Sequence, residues 1–144
     1  MRRRWHSFRA LPRREQALAL EAAAWLTLAA PVLALLPSRH IARWLGNLDG
    51  EIAAETDPSR SRAVGRAVER VARNLPWHPL CLPQALAARA MLQRRGIPST
   101  LYFGMRLEGA DRAMQAHAWV TTGSTSVVGV PAAGEFTVLA RYSK

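Results

Sequence analysis

Cysteine is almost absent from this chain, and the familiar cofactor motifs are missing. Cys81 is the only cysteine in 144 residues, which excludes an intramolecular disulfide and a cysteine-rich zinc module. The four histidines lack metal-ligand spacing such as H-E-x-x-H, and there is no P-loop, G-x-S-x-G or G-x-G-x-x-G motif. We therefore predict no metal and no cofactor. The single thiol also indicates a reducing, cytoplasmic location.

Lysine is equally scarce, although the chain is strongly basic. Lys144 is the only lysine, so arginine supplies nearly all of the formal net charge of +10. Such a field favours an acidic peptide, a nucleic acid or an anionic membrane surface as partner. A GC-rich genome that encodes arginine in place of lysine explains the same excess without a partner. The chain lacks the alternation of aromatic and basic residues typical of RNA-binding sheets, so we expect no nucleic-acid partner.

A long apolar run over residues 17–36 follows arginines at positions 2, 3, 4, 9, 13 and 14. Twenty helical residues measure about 30 Å, the thickness of a bilayer core, so membrane association through residues 17–36 is one interpretation. Eight of these residues are alanine, and Glu21 and Pro31 interrupt the run, which favours one or two helices buried in the protein. Leu11-Pro12-x-x-Glu15 is typical of a helix start.

Three further helices are predicted from local signals. A short one over 38–47 places Ile41, Trp44 and Leu45 on one side, with turns at 46–47 and 49–50. Asp57-Pro58 begins the second, which Pro76 ends. Its apolar stripe consists of Val64, Val68, Val71 and Leu75, and its arginines form either a solvated or a binding surface: Arg60, Arg62, Arg66, Arg70 and Arg73. The third runs from Cys81 to Arg95, with Gly96 as its C-cap.

From residue 97 onward the pattern changes to short strands. We predict four, over 100–105, 115–121, 125–130 and 136–141, with a hairpin turn at Thr122-Gly123-Ser124. Helices followed by an antiparallel sheet indicate an α+β fold. We divide the chain into an N-terminal helical region, residues 1–56, and a core, residues 57–144.

One thiol and one histidine stand where a nucleophile and its base are expected. Cys81 begins a predicted helix, whose positive end favours a thiolate, and His117 lies on a predicted strand. The backbone N–H of Cys81, the side chain of Gln84 and the indole of Trp77 are candidate donors to an oxyanion. Trp119 shares the strand face of His117 and is either a wall for the imidazole or core filler.

Each of these residues also has a plain structural interpretation. A lone cysteine is usually a small buried hydrophobic residue, and a lone strand histidine is usually structural. His78, three residues before Cys81, is a rival base, although it precedes a proline in a predicted loop.

The segments around these residues resemble a known family. Cys81-Leu-Pro-Gln-Ala-Leu-Ala-Ala, Met-Leu-Gln-Arg-Arg-Gly-Ile-Pro-Ser-Thr-Leu-Tyr-Phe-Gly104 and Ala-His117-Ala-Trp-Val are similar to the leader peptidases of lasso-peptide biosynthesis, which are transglutaminase-like cysteine proteases. The likeness covers about Leu75 to Tyr142. It implies a papain-like core in which a nucleophile helix packs on a small antiparallel sheet. It also implies that Cys81 is the nucleophile and His117 the base.

The resemblance further implies a function and partners. The protein would be a cysteine-type endopeptidase that removes the leader of a ribosomally made precursor peptide. A separate small protein would recognise the leader, and an asparagine-synthetase-like cyclase would then close the macrolactam ring. The alternative is a non-catalytic peptide-binding or assembly subunit of the same maturation complex.

The third member of the catalytic triad departs from the family pattern. Many relatives have an aspartate about a dozen residues after the histidine, but here no acid occurs between His117 and Glu135. Glu135 is one candidate for the third member. A backbone carbonyl or an amide side chain that orients the imidazole is the other.

Overall fold

The computed structural model describes residues 10–108, 112–131 and 135–144. The arginines at positions 2, 3, 4 and 9 lie outside these ranges. The described chain forms helices α1 (Arg13–Leu35), α2 (Ser38–Leu45), α3 (Pro58–Asn74) and α4 (Cys81–Gln93), and strands β1 (Asn47–Leu48), β2 (Thr100–Glu108), β3 (Ala113–Thr122), β4 (Thr125–Val128) and β5 (Thr137–Ser143). This order of helices and then mainly strands confirms the predicted α+β fold.

Helix α1 is one continuous helix that buries only one side. It begins directly after Pro12 and carries Glu15 in its first turn, as the start signal predicts. Small residues and one leucine on the buried side pack against α3 and α4: Ala19, Ala22, Leu26 and Ala29. Large apolar residues on the other side remain exposed: Leu20, Leu28, Val32 and Leu35. The prediction of a buried helix is therefore only partly right.

The same helix is long and apolar enough to cross a membrane. Its most apolar window has a mean hydropathy of 1.8 and is only 24% buried. A membrane span, a signal sequence and a core helix share these properties of length and composition. The membrane interpretation therefore stays open beside the packing of α1 on the other helices.

Helix α3 follows its sequence signals closely. The Asp57 side chain accepts a hydrogen bond from the backbone N–H of Arg60 at 3.0 Å, and Pro58 occupies the first helical position. The buried side presents Val64 and Val68 to the core, together with Gly65. A Cβ at Gly65 would lie 1.9 Å from the carbonyl oxygen of Val127, so the absence of a side chain lets α3 lie directly against β4.

The sheet is antiparallel throughout, in the order β1-β5-β2-β3-β4. The predicted turn at Gly123 joins β3 to β4, with φ at +55°. Strand β1 was not predicted: Asn47 and Leu48 pair with Ser143 and Tyr142, where the sequence indicates a turn. The helix over 38–47 correspondingly ends earlier, at Leu45. Two residues are too few to show the alternating pattern of a strand, so β1 forms only because its backbone pairs with the edge strand β5.

Helix α4 lies under the sheet and ends as predicted. Gly96, with φ at +64°, follows its last turn, and the N–H of Ile97 bonds back to the carbonyl of Leu92 at 3.1 Å. Packing against β3 fills the core between helices and sheet, while α3 covers β4. Gln84 in the first turn of α4 and Gly129, just after β4, line one cleft, so the start of the helix, whose first residue is Cys81, lies near the end of β4.

Candidate active site

Cys81 is a free, partly buried thiol at the first position of α4. It packs against the hydrophobic core and follows Leu80, whose backbone is extended. The N–H groups of the first helical turn have no partner within the helix, so they point toward whatever lies at this end. A thiol in this position is exposed to the positive end of the helix dipole.

The loop before Cys81 is held by Gln84. Its side-chain amide donates a hydrogen bond of 2.7 Å to the carbonyl of Pro79. Pro79 itself is buried, whereas His78 is exposed and has a positive φ of 41°. An amide group has two N–H donors, so the bond to Pro79 leaves one for another acceptor. Gln84 therefore has a structural partner in addition to its predicted role.

His117 lies on β3 opposite Gly104 of β2. Its Nε2 atom is 2.6 Å from the carbonyl oxygen of Gly129, which is twelve residues further along the chain. A carbonyl oxygen only accepts hydrogen bonds, so Nε2 carries the proton that is shared with it. In the neutral ring this leaves Nδ1 as the acceptor, and Nδ1 is the atom that can take a proton from another group.

The imidazole is enclosed by aromatic rings. Trp119 stacks on it with ring centroids 5.9 Å apart, and Phe136 lies at 5.0 Å on a tilted plane. Trp119 is buried and also stacks on Tyr102 at 5.4 Å. The two residues His117 and Trp119 share a strand face, as their spacing predicts. The side chain of Trp119 thus supports the histidine from the core.

Two glycines make this arrangement possible. A Cβ at Gly104 would lie 2.8 Å from two ring atoms of Trp119, so only glycine leaves room for the indole. Gly129 has φ at +67°, and a Cβ there would lie 3.2 Å from the carbonyl oxygen of Ala118. Neither glycine, nor Phe136, was predicted as a site residue. The position of Gly129 twelve residues after His117, near which the resemblance implies an aspartate, is the signal that was available.

The carboxylate of Glu135, the predicted third catalytic member, pairs with an arginine. Its carboxylate forms an ion pair with Arg106, whose guanidinium also lies 4.9 Å above the ring of Phe136. The oxygen bonded to Nε2 of His117 belongs to Gly129. A backbone carbonyl thus bonds to the imidazole, and the role of Glu135 as third member stays a prediction.

An open cleft lies between the start of α4 and the residue that follows β4. It has a volume of about 410 Å³ and is lined by Glu69, Ala72, Arg73, His78, Pro79, Gln84 and Gly129. Pro79 and Gln84 flank Cys81 in the chain, and Gly129 holds His117. Trp77, by contrast, is half exposed in the turn after α3 and is absent from this lining. Over residues 10–108, 112–131 and 135–144, no cluster of three histidine, cysteine or acidic side chains suits a metal ion.

The fold and this site define an α+β protein with a thiol at a helix start and a hydrogen-bonded histidine on the adjacent sheet. A family model described as the transglutaminase-like superfamily matches residues 23–141, and the chain belongs to that superfamily. The match crosses the boundary predicted between residues 56 and 57, which stays a prediction. No curated protein and no solved structure matches the chain. The superfamily commonly includes cysteine peptidases.

Proposed function

We propose that the protein is a cysteine peptidase in which Cys81 is the nucleophile and His117 the general base. The observation that carries this proposal is the 2.6 Å bond between Nε2 of His117 and the carbonyl of Gly129. That bond fixes the ring and its tautomer, so that Nδ1 is the atom free to take the thiol proton. Orientation of an imidazole through its other nitrogen is what the third member of a catalytic triad does.

The reaction follows from these roles. His117 accepts the thiol proton at Nδ1, and the sulfur of Cys81 attacks the scissile carbonyl carbon to give a tetrahedral oxyanion. As the intermediate collapses, the C–N bond breaks and His117 returns the proton to the leaving amine. Water, deprotonated by the same ring, then attacks the thioester. The carboxylic acid leaves and the thiol is restored.

We propose that backbone and side-chain N–H groups at the start of α4 stabilise the oxyanion. The N–H of Cys81 and the second amide proton of Gln84 are the donors we propose. Gln84 also fixes the loop before the thiol through its bond to Pro79. Trp77, which is 52% exposed, would have to turn inward on substrate binding to contribute.

The substrate class comes from the resemblance of the motifs around Cys81 and His117. We propose that the substrate is the precursor of a lasso peptide, cut between leader and core in the cytoplasm. A separate leader-recognition protein would present it, and an asparagine-synthetase-like cyclase would use the freed amine. The open cleft beside Gln84 and Gly129 supports this proposal, because a peptide chain needs an extended, accessible groove.

The test is a cleavage assay with precursor peptide and recognition protein, followed by mass spectrometry. The wild-type protein should release the leader by cutting one bond, and Cys81→Ala and His117→Ala should leave the precursor intact. Arg39→Ala, on the exposed surface of α2, is the matched control and should cut normally. Cleavage by Cys81→Ala at the wild-type rate would refute the catalytic assignment.

A non-catalytic peptide-binding subunit is the second candidate. What favours it is the neutral carbonyl on His117, where relatives carry a carboxylate. Iodoacetamide separates the two, because alkylation requires a thiolate. If Cys81 is catalytic, iodoacetamide should alkylate it more slowly in His117→Ala than in the wild type, because the variant lacks the base that takes the thiol proton. An equal rate in both proteins would support the binding subunit.

A further inference from the structure

A second concave site lies on the helical side of the molecule. The first turns of α1 and the outer side of α3 diverge to leave a groove of about 600 Å³. Its charged lining consists of Arg14, Glu15, Arg60, Arg66, Arg70 and Arg95. None of the candidate catalytic residues lines it, so its role is independent of the proposed peptidase.

The positive charge of this arginine groove is only partly neutralised. Glu15 bonds to Arg70 at 3.0 Å, which shows that a carboxylate fits among these guanidinium groups. Arg60 and Arg95 are paired with acids outside the groove lining, Asp57 and Glu21. By contrast, Arg14 and Arg66 are exposed and form no ion pair with any residue in the described part of the chain.

The surface between the arginines is apolar. Ala17, Leu18 and Ala63 line the groove between its charged edges. No aromatic side chain is among the lining residues, so bases of a nucleic acid would find nothing to stack on. A concave site with an apolar floor and cationic edges suits a segment that carries both carboxylates and aliphatic side chains. Planar guanidinium groups bind carboxylates in a two-pronged geometry.

We propose that the arginine groove binds an acidic amphipathic segment of a polypeptide partner. Carboxylates of that segment contact Arg14 and Arg66, and its aliphatic side chains cover Leu18. Because a helix can present carboxylates and aliphatic side chains on adjacent faces, the bound segment is an amphipathic helix.

The test uses a fluorescein-labelled synthetic helix that carries glutamate and leucine on adjacent faces, with anisotropy as the readout. Arg14→Glu/Arg66→Glu should weaken its binding by about tenfold, since two attractive pairs become repulsive. Arg39→Glu/Arg43→Glu is the matched control: it makes the same change in net charge on exposed residues of α2, outside the groove. It should weaken binding by less than about twofold.

Two comparison ligands decide between classes of partner. A single-stranded DNA oligonucleotide and phosphatidylglycerol vesicles of matched charge should bind more weakly than the peptide, and equally to both double variants. Equal weakening of peptide binding by both double variants would overturn the proposal, and so would tighter, groove-dependent binding of DNA or vesicles. Thermal unfolding of each variant should match the wild type, because neither pair of arginines has an ion-pair partner among the residues that the structure describes.

Discussion

Nε2 of His117 and the carbonyl oxygen of Gly129 lie 2.6 Å apart, on residues separated by twelve positions. At about this spacing the resemblance to leader peptidases implies an aspartate, whereas in this chain a main-chain oxygen bonds to the imidazole. A carbonyl accepts the same hydrogen bond and selects the same tautomer, but it brings no negative charge to stabilise an imidazolium. We therefore propose that Gly129 orients the histidine without the electrostatic support that a carboxylate would give.

Gly129→Ala should lower activity while the protein remains folded. The positive φ of 67° costs an alanine about 1–2 kcal/mol, and the new Cβ would lie 3.6 Å from Nε2 of His117. Because relief of that strain moves the carbonyl, we expect kcat/KM for precursor cleavage to fall by about tenfold or more.

Gly96→Ala is the control for backbone strain alone. Gly96 has a similar φ of +64°, but nothing lies within 4 Å of the point that a Cβ would occupy, and it ends α4 far along the chain from Cys81. It should lose a similar free energy of unfolding and keep full activity. Equal losses of activity in both variants would show that strain, and not the carbonyl, is responsible.

Gly104→Ala should disturb the packing of Trp119, the ring that stacks on His117. The added Cβ would meet the indole of Trp119 at 2.8 Å, so either the strand or the ring must move, at about 1–3 kcal/mol. Trp119→Phe removes the atoms that clash. In a double-mutant cycle monitored by urea unfolding, the pair should therefore be less destabilised than the sum of the single variants. Strict additivity would contradict the proposed contact.

The elements that were predicted well are those with a local cause. Asp57 and Pro58 mark the start of α3, Gly96 the end of α4 and Gly123 the β-hairpin, because each acts within a few residues of its own position. Strand β1 has no such cause. Its two residues pair with β5 at the other end of the chain, and no periodicity within Asn47–Leu48 reports that pairing.

The residues of the candidate site also fall into two groups, those with a signal in the local sequence and those without one. Cys81 and His117 are chemically distinctive and are predicted from residue type and motif, and their catalytic roles stay a prediction. Gly104 and Gly129 act through a missing side chain and a backbone oxygen, so residue type gives little sign of either, and only the twelve-residue spacing from His117 points to Gly129. The enclosure of His117 by Phe136 depends on the register of β5 against β2, which is a tertiary property.

Arg89→Met should be strongly destabilising. The guanidinium is fully buried and donates to the carbonyl oxygens of Leu45, Ser99 and Tyr142, the last at 2.8 Å. Burial lowers the pKa of Arg89 to about 10, so the group is still charged at neutral pH. Loss of the donor removes a hydrogen bond from each of the three carbonyls, of which only that of Ser99 is known to keep another donor, the N–H of Lys144 at 3.3 Å, and we expect a cost of about 2–3 kcal/mol in total. Urea unfolding should show this loss, whereas Arg43→Met on the exposed side of α2 should change stability by less than about 0.5 kcal/mol.

Glu21→Gln should destabilise the protein in a pH-dependent way. Hydrogen bonds from Arg95, the shorter at 2.6 Å, lower the pKa of Glu21 below its usual 4.5, with further help from the charges of Arg95 and Arg94. A carboxyl whose pKa is lower in the folded state stabilises the protein above the unfolded pKa, and this stabilisation is lost as pH falls through the folded one. We expect Glu21→Gln to cost about 1–2 kcal/mol near neutral pH and progressively less below about pH 4.5.

Glu15→Gln is the control: its pair with Arg70 is more exposed and is screened by solvent, so the substitution should cost less than about 0.5 kcal/mol. A Glu21→Gln deficit in urea unfolding that stays constant from neutral pH to about pH 3 would show that the carboxylate charge is not the cause.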